Sequence, residues 1–521
     1  MSDAEVVNEV EPIDEKIEPE KKQKGSTKDV GGRIAPGKNP QRQFYSFMLL
    51  LSCLTSADIA IADLVKAVSN MHHRGFIQVA FWRMRTLVYK WNFKVQDASK
   101  YISTMVPKGE FRQILERLSQ ALNAGMKLKD FNKVESTKYM IQYDSEYSRI
   151  TDRLKQISEA FSAVLTSVSF LAVSILISNM TFSLGNPTTM LIATGAAIAG
   201  TLFVMTFLIR LYSPKEGLLH TLEHRPFGLD KFHGMNRLMQ ITGMAIGFGL
   251  PALLFYLPMI KGSMSLALGV PLIVAGVPLF IFGRIAKKRV SQVKLIEEQY
   301  PPFIKNFGDA FTVSTSSKEA IRILAGSDYG KLNGPIARLN KRLNAGMSTD
   351  IAWELFVEEC GSFLIQNHTF ALHDSLALGA RAARASDAVF KSFVASQGRR
   401  KKRELVSGFL RAIIIPLQMT FTGVLVLIQA LVSVFATFAA KASQYLVLLH
   451  PLDSSLINYY VYSIVATTIF GTTFAMQLVE GESEYDFTYY LGMQMLLTGV
   501  IVIATATGAS ALLSTLVASA G

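Results

Sequence analysis

Two stretches contain residue types whose spacing could do chemistry. His220-Thr-Leu-Glu223-His224 matches H-x-x-E-H. On a helix its two imidazoles would share a face and offer zinc two ligands, with a third needed from elsewhere. Gly326-Ser-Asp-Tyr-Gly330-Lys331-Leu332 has the glycines and lysine of a phosphate loop in order. A Walker A loop puts four residues between its glycines and a Ser or Thr after the Lys, to cradle phosphate and hold magnesium. Here three residues intervene and Leu332 follows, so the stretch reads as a turn between helices. The H-x-x-E-H stretch reads more simply as a short interfacial helix with its imidazoles at headgroup level. His72-His73 and the pair His368 and His373 are weaker ligand candidates. Cys53 and Cys360 are the only cysteines, which excludes a disulfide framework or a four-thiolate zinc site. No catalytic residue, metal or cofactor is expected.

The elements that would position such residues follow from how charge and hydrophobicity are distributed. The chain has 521 residues, 50% hydrophobic and 18% charged, with a net charge of +13. Its mean hydropathy is +0.28. A basic pI near 9.5 on a soluble chain would suggest nucleic acid, but positive hydropathy makes the membrane the better reading, since membrane proteins gather Lys and Arg on one side. No nucleic-acid partner is expected. The acidic N-terminus lacks the apolar stretch of a signal peptide.

Residues 1–159 hold 20 acidic and 25 basic residues, and 284–404 hold 12 and 20, so neither region can cross a bilayer. A spanning helix needs about 20 apolar residues. Seven runs qualify: Phe161–Met180, Thr188–Ile209, Leu238–Ile260, Met264–Phe282, Leu417–Phe438, Tyr459–Leu478 and Tyr490–Val517. Phe44–Leu54 is long enough only for a buried helix. Cations cluster at Arg210–Arg237, at Arg284–Arg289 and at Arg399–Arg403. Basic loops stay on the cytoplasmic side, which predicts a multi-pass protein of the cell membrane with its N-terminus inside. The Glu480–Asp486 loop is acidic and weighs little in this rule. The spans contain almost no ionisable residues, which disfavours the alternative of a secondary transporter. Gly243 and Gly247 in the third span suit close helix packing, within the chain or in a dimer.

The fold class is therefore all-α and polytopic. Residues 1–43 are expected to be a disordered tail, because they are charged and nearly free of aromatic residues. Residues 44–159 form a first helical region, 160–284 spans one to four with a cytoplasmic amphipathic loop near 213–237, 285–405 a second helical region, and 406–521 spans five to seven. Phe111, Ile114, Leu115, Leu118 and Leu122 trace one apolar helical face. Ser316–Glu319 has the pattern of a capping box. Tyr300-Pro-Pro-Phe303 is expected to end the helix leaving the membrane and to start another. The two helical regions share a signature: ERLSQALNAGM at Glu116–Met126 and ARLNKRLNAGM at Ala337–Met347. In each, Gly125 or Gly346 follows an amphipathic helix and suits a left-handed C-terminal cap, which points to duplication.

The stretch YPPFIKNFGDAF…SSKEAIRIL…DYGKLNGPIARLNKRLNAGM…WELFVEECGSFLI…LGARA…RRKKRELVSGF resembles the type II secretion F-domain family. Its members are the inner-membrane platform proteins of type IV pili, type II secretion systems and archaella. SQALNAGMKLKDF and SPKEGLLHTLEHRP are similar to the archaeal branch. The resemblance implies that both helical regions are cytoplasmic F-domains. It also implies partners: a hexameric secretion ATPase in the cytoplasm, archaellin or pilin-like subunits, membrane lipids, and a second copy in a homodimer. An adhesive pilus or secretion platform is the alternative within the family. Under this reading Arg399, Arg400, Lys401, Lys402 and Arg403 either fix topology against anionic lipid or meet an acidic groove on the ATPase. Arg381 and Arg384, farther from the membrane, are candidates for the same partner.

Overall fold

A computed structural model describes residues 34–35, 40–70, 75–181, 187–214, 217–220, 222, 226–254, 265–442 and 454–520. His72, His73 and His224 lie outside the described residues. Nearly everything described is helix, and the described residues contain no strand, only a single bridge between Leu219 and Ser362. Contacts divide the chain into two units. The first takes in Met1–Phe44 and Ala60–Met126, the second Tyr45–Ile59 and Lys127–Gly521.

In the first unit, α1 (Pro40–Cys53, whose later residues belong to the second unit), α2 (Ile61–Asn70), α3 (Gly75–Lys90), α4 (Val95–Met105) and α5 (Glu110–Asn123) follow one another. Pro40 opens α1, as a fixed φ and missing N–H permit at a first helical position, so the last residues of the tail drawn as 1–43 are helical. Phe111 is the hub of this core, with Phe76 edge-on at 5.4 Å and Phe44 at 6.2 Å. Phe111, Ile114, Leu115 and Leu118 are all buried.

The second unit contains α6 (Leu128–Thr181), α7 (Pro187–Tyr212), α8 (Leu229–Met244), α9 (Leu250–Leu254), α10 (Val270–Ser314), α11 (Ser317–Leu324), α12 (Asn333–Asn344), α13 (Thr349–Cys360), α14 (Phe363–Ala377), α15 (Ala382–Ala442), α16 (Ser454–Glu480) and α17 (Tyr485–Ala520). Seven helical stretches are long and apolar enough to cross a membrane, so the chain is a polytopic membrane protein. Three of these helices do not stop at the span. With 54, 45 and 61 residues, α6, α10 and α15 are about 80, 70 and 90 Å long, against about 30 Å of hydrocarbon. Each carries its polar region and its span as one rod, so residues 128–159 pack with the second unit.

The expected break at Tyr300–Phe303 does not occur. Pro301 and Pro302 lie inside α10, although a proline there removes a helical N–H. The carbonyl of Glu297, which loses its helical donor, accepts instead from Gln397 Nε2 of α15 at 3.0 Å. Tyr300, Phe303 and Phe307 pack against Phe393, Phe356 and Trp353, so burial holds the segment helical. Ser316 does sit at the start of α11, but its side chain makes no capping bond, and Glu319 pairs with Arg322 instead. The two Leu-Asn-Ala-Gly-Met copies end their helices identically. Gly125 (φ +74°) and Gly346 (φ +81°) are left-handed, and Met126 and Met347 each donate back to the carbonyl five residues earlier.

The tightest contact joins α10 and α17. A Cβ on Gly492 would lie 2.3 Å from the Phe280 nitrogen, and one on Gly276 would lie 2.7 Å from that of Leu496. Gly243 and Gly247 are also close-packed, against Leu279 and against Met495 and Ala275. Gly508 has nothing near it. Gly492→Ala should therefore lower the thermal midpoint in detergent, by an overpacking cost of about 1–3 kcal/mol, while Gly508→Ala should leave it within about 0.5 kcal/mol.

Candidate functional site

The charged residues gather in a collar where spans four to seven meet the polar helices. Three elements converge there: α10 where it leaves the fourth span, α15 where it enters the fifth, and the turn 480–486 between α16 and α17. Backbone contact between α10 and α17 sets the register, since a Cβ on Gly283 would lie 2.6 Å from the Tyr489 nitrogen. One turn on, Lys287 Nζ lies over the Tyr489 and Tyr490 rings at 5.0 and 4.9 Å. It donates to Glu480 Oε1 at 2.5 Å and lies 3.5 Å from Asp486. Tyr490 donates to the other oxygen of Glu480 and accepts from Arg411 Nη1 at 3.0 Å. Two turns along α10, Lys294 bridges Glu482 at 2.5 Å and Glu404 at 2.6 Å. Burial pushes the Glu482 carboxyl up, while the Lys294 ammonium pulls against it.

The structure divides the Arg399–Arg403 run. Arg399 is enclosed by Tyr45, Tyr143 and Tyr147, the nearest centroid at 4.9 Å, and is paired with Asp144 of α6. Arg400 grips buried Glu297 through one nitrogen, at 2.7 and 2.9 Å from its two oxygens, and Glu297 also accepts from Ser362. Arg403 caps the C-terminus of α16. Its Nε donates to the Val479 carbonyl at 2.8 Å and its Nη2 to that of Leu478 at 3.1 Å, groups left without helical donors. These three arginines tie helices together inside the chain. Lys401 and Lys402 are exposed, and Lys402 reaches Ser148 at 3.2 Å. Arg381 and Arg384 are exposed near the start of α15, about 30 Å from Arg403 along the helix. The structure thus does not bring the candidate residues into one patch. A cavity of 290 Å³ lies beside the run, lined by Lys294, Glu297, Arg400, Lys401, Glu404 and Glu482 among others.

The loop near 213–237 is a strap rather than an amphipathic helix at its start. Leu218 N donates to the Glu482 carbonyl at 3.0 Å, Phe363 N to that of Leu218 at 2.9 Å, and His220 N to that of Gly361 at 3.0 Å. His220 is buried and outside any helix, and its Nε2 meets the Glu358 carbonyl at 3.1 Å. Neither His220 nor Leu222 is helical, and no cluster of three metal-ligating side chains occurs among the described residues. His368 is buried between the Leu364 carbonyl and Ser392, and desolvation drives its pKa down to about 3. In the Gly326–Leu332 turn, the Asp328 carboxylate accepts from Gly330 N at 2.9 Å and from the Asn333 amide at 2.6 Å, and these bonds hold it below the usual carboxylate range. A carboxylate so placed occupies the Gly330 N–H that a phosphate would need and repels phosphate by its charge.

The sequence reading notes that the turn 480–486 is acidic but gives it no part in the site. A signal for it was present: four carboxylates, at Glu480, Glu482, Glu484 and Asp486, on the side to which the charge rule assigns the cations.

The chain is similar to two proteins named Flagella accessory protein J. The one from Methanocaldococcus jannaschii is 27% identical over 361 residues, 67% of this chain and 62% of that protein. The one from Methanococcus voltae is 24% identical over 322 residues, 60% of this chain and 56% of that protein. The chain thus covers less than two thirds of the length of either relative. No family model and no solved structure matches it.

Removing Arg400 should strand a buried carboxylate. Arg400→Met should cost about 3–5 kcal/mol in detergent-solubilised protein, and adding Glu297→Gln should restore much of it, which a double-mutant cycle of thermal midpoints measures. His368 binds its proton more weakly folded than unfolded. Stability is therefore full above about pH 6.5 and falls by about 1.4 kcal/mol per unit between pH 6.5 and 3. His368→Gln should make the midpoint-against-pH curve shallower by one proton in that window.

Proposed function

We propose that this chain is the membrane platform of an archaellum-type assembly machine, lying in the cell membrane with its N-terminus in the cytoplasm. The single observation that carries the reading is continuity: α6, α10 and α15 each run unbroken from the polar region into a span. That is what a part needs if a push on one side of a membrane is to arrive on the other. The similarity to two flagella accessory proteins supports the archaellum over an adhesive pilus.

In this reading a cytoplasmic secretion ATPase docks on the polar helices and its motion tilts the rods. The collar passes the tilt to α16 and α17, and filament subunits enter at the membrane end. The role is mechanical, and nucleotide chemistry belongs to the partner. The collar's buried ion pairs are suited to this because they lock helix ends in register, whereas exposed cations are free to meet another surface.

The ATPase contact falls on the exposed cations, Arg381 and Arg384 first, with Lys401 and Lys402 beside the membrane. Arg381→Glu with Arg384→Glu should weaken binding of the purified ATPase by roughly tenfold or more and abolish filaments. Membrane insertion and thermal midpoint should not change, because both side chains are exposed. ATPase binding equal to wild type in a pull-down would remove these residues from the interface.

A further inference from the structure

Three helices carry the collar's polarity on into the membrane. Along α17, Tyr490 is followed by Gln494 and Thr498, at i+4 and i+8, so all three share one face. Along α15, Arg411 is followed at i+7 and i+11 by Gln418 and Thr422. Back along α16 from Glu480 come Met476, Thr473, Thr472 and Thr468. Tyr490, Arg411 and Glu480 meet one another in the collar, so these three stripes converge from it. A bond confirms the convergence deeper down, where Gln418 Nε2 donates to Thr468 Oγ1 at 3.0 Å.

These side chains are closed off from outside and only partly satisfied. Gln418, Thr473, Gln494 and Thr498 are each 0% exposed. Yet Gln418 Oε1, Thr473 Oγ1, Thr498 Oγ1 and both polar atoms of Gln494 have no hydrogen-bond partner among the described residues. Nearly every buried polar group in a protein finds a partner, and hydrocarbon offers none, so five such atoms on converging faces call for a ligand. Beyond Arg411 and Glu480 the stripes are neutral and present donors and acceptors together, which suits water rather than a metal ion or an anion. An entrance exists as well. A cavity of 240 Å³ at the collar is lined by Lys287, Ser407, Arg411 and Glu480, and the buried Ser407 hydroxyl also lacks a partner among the described residues.

We infer that the α15–α16–α17 junction holds a file of ordered water, entered from the collar cavity and reaching about 12 Å inward, from the level of Tyr490 to that of Thr498. Farther along α15, past Thr422, the buried residues Leu425 and Val426 are apolar. Water in the seam lets the three helices shift past one another by trading hydrogen bonds with a small mobile partner instead of breaking direct ones.

Two equally buried methionines provide the test. Met476 lies on the α16 stripe, and Met495 lies one residue off the α17 stripe, packed where a Cβ on Gly247 would meet it. Both are 0% exposed. Intact protein in lipid nanodiscs would be pulsed with X-rays in oxygen-18 water, and heavy-oxygen sulfoxide measured at each methionine. Met476 should be labelled several-fold faster than Met495. Equal rates, whether both slow or both fast, would overturn the proposal. Gln494→Leu with Thr498→Val should bring the Met476 rate down to that of Met495, and an unchanged rate in a folded variant would equally overturn it. If that variant does not fold, the comparison within the wild type still decides.

Discussion

Backbone-to-backbone contact between α10 and α17 is the constraint on which the remaining arrangement rests. Glycines at 276 and 283 on one helix and at 492 on the other leave no room for a Cβ. In lipid, helices gain nothing from hiding apolar surface, so dispersion between closely approaching backbones has to hold them. The same contact fixes the level at which Lys287 meets Tyr490 and Glu480. If α17 slipped by one residue, every glycine would face the wrong neighbour and each collar charge would lose its partner in a poorly solvated place. Packing and electrostatics are thereby made to agree on one register.

The collar also shows how a membrane protein handles charge at the edge of hydrocarbon. Carboxylates come from the turn 480–486 and from the flanks of α10 and α15, and cations from α10 and α15. Neither set could be tolerated there alone. The cations that mark topology in the sequence thus have two fates. Those facing inward, Arg399, Arg400 and Arg403, are spent on the fold, and those facing outward remain for surfaces beyond the chain.

Much of this was legible in the residues. The seven apolar runs announced the spans, because hydrocarbon thickness imposes a length that composition cannot disguise. The repeated Leu-Asn-Ala-Gly-Met announced two matching helix ends, because few residues other than glycine adopt the left-handed conformation at no cost. What could not be read was whatever depends on a distant partner. Pro301 and Pro302 looked like a stop because local rules do not know that Gln397 waits a hundred residues away. The basic run at 399–403 looked uniform because sequence does not show which side of a helix faces Tyr143 or Glu297. His220 kept its spacing but not its helix, since the strap is held by carbonyl and N–H groups of residues 361–363 and 482. The glycines at 276, 283 and 492 were visible, but only the pairing of α10 with α17 distinguishes them from Gly508.

The length of α15 has a consequence of its own. A rod of 61 residues is about 90 Å from tip to tip, and a tilt of about 5° about its midpoint moves each end by about 4 Å in opposite directions. That is close to the rise of three helical residues, enough to trade one set of surface neighbours for the next. Rotations too small to disturb any core contact by more than a fraction of an ångström near the pivot therefore become steps of molecular size at the ends. The geometry has the arithmetic of a balance beam, with its fulcrum one residue from Arg411, where α15 meets the collar, and its two pans on opposite sides of the membrane boundary.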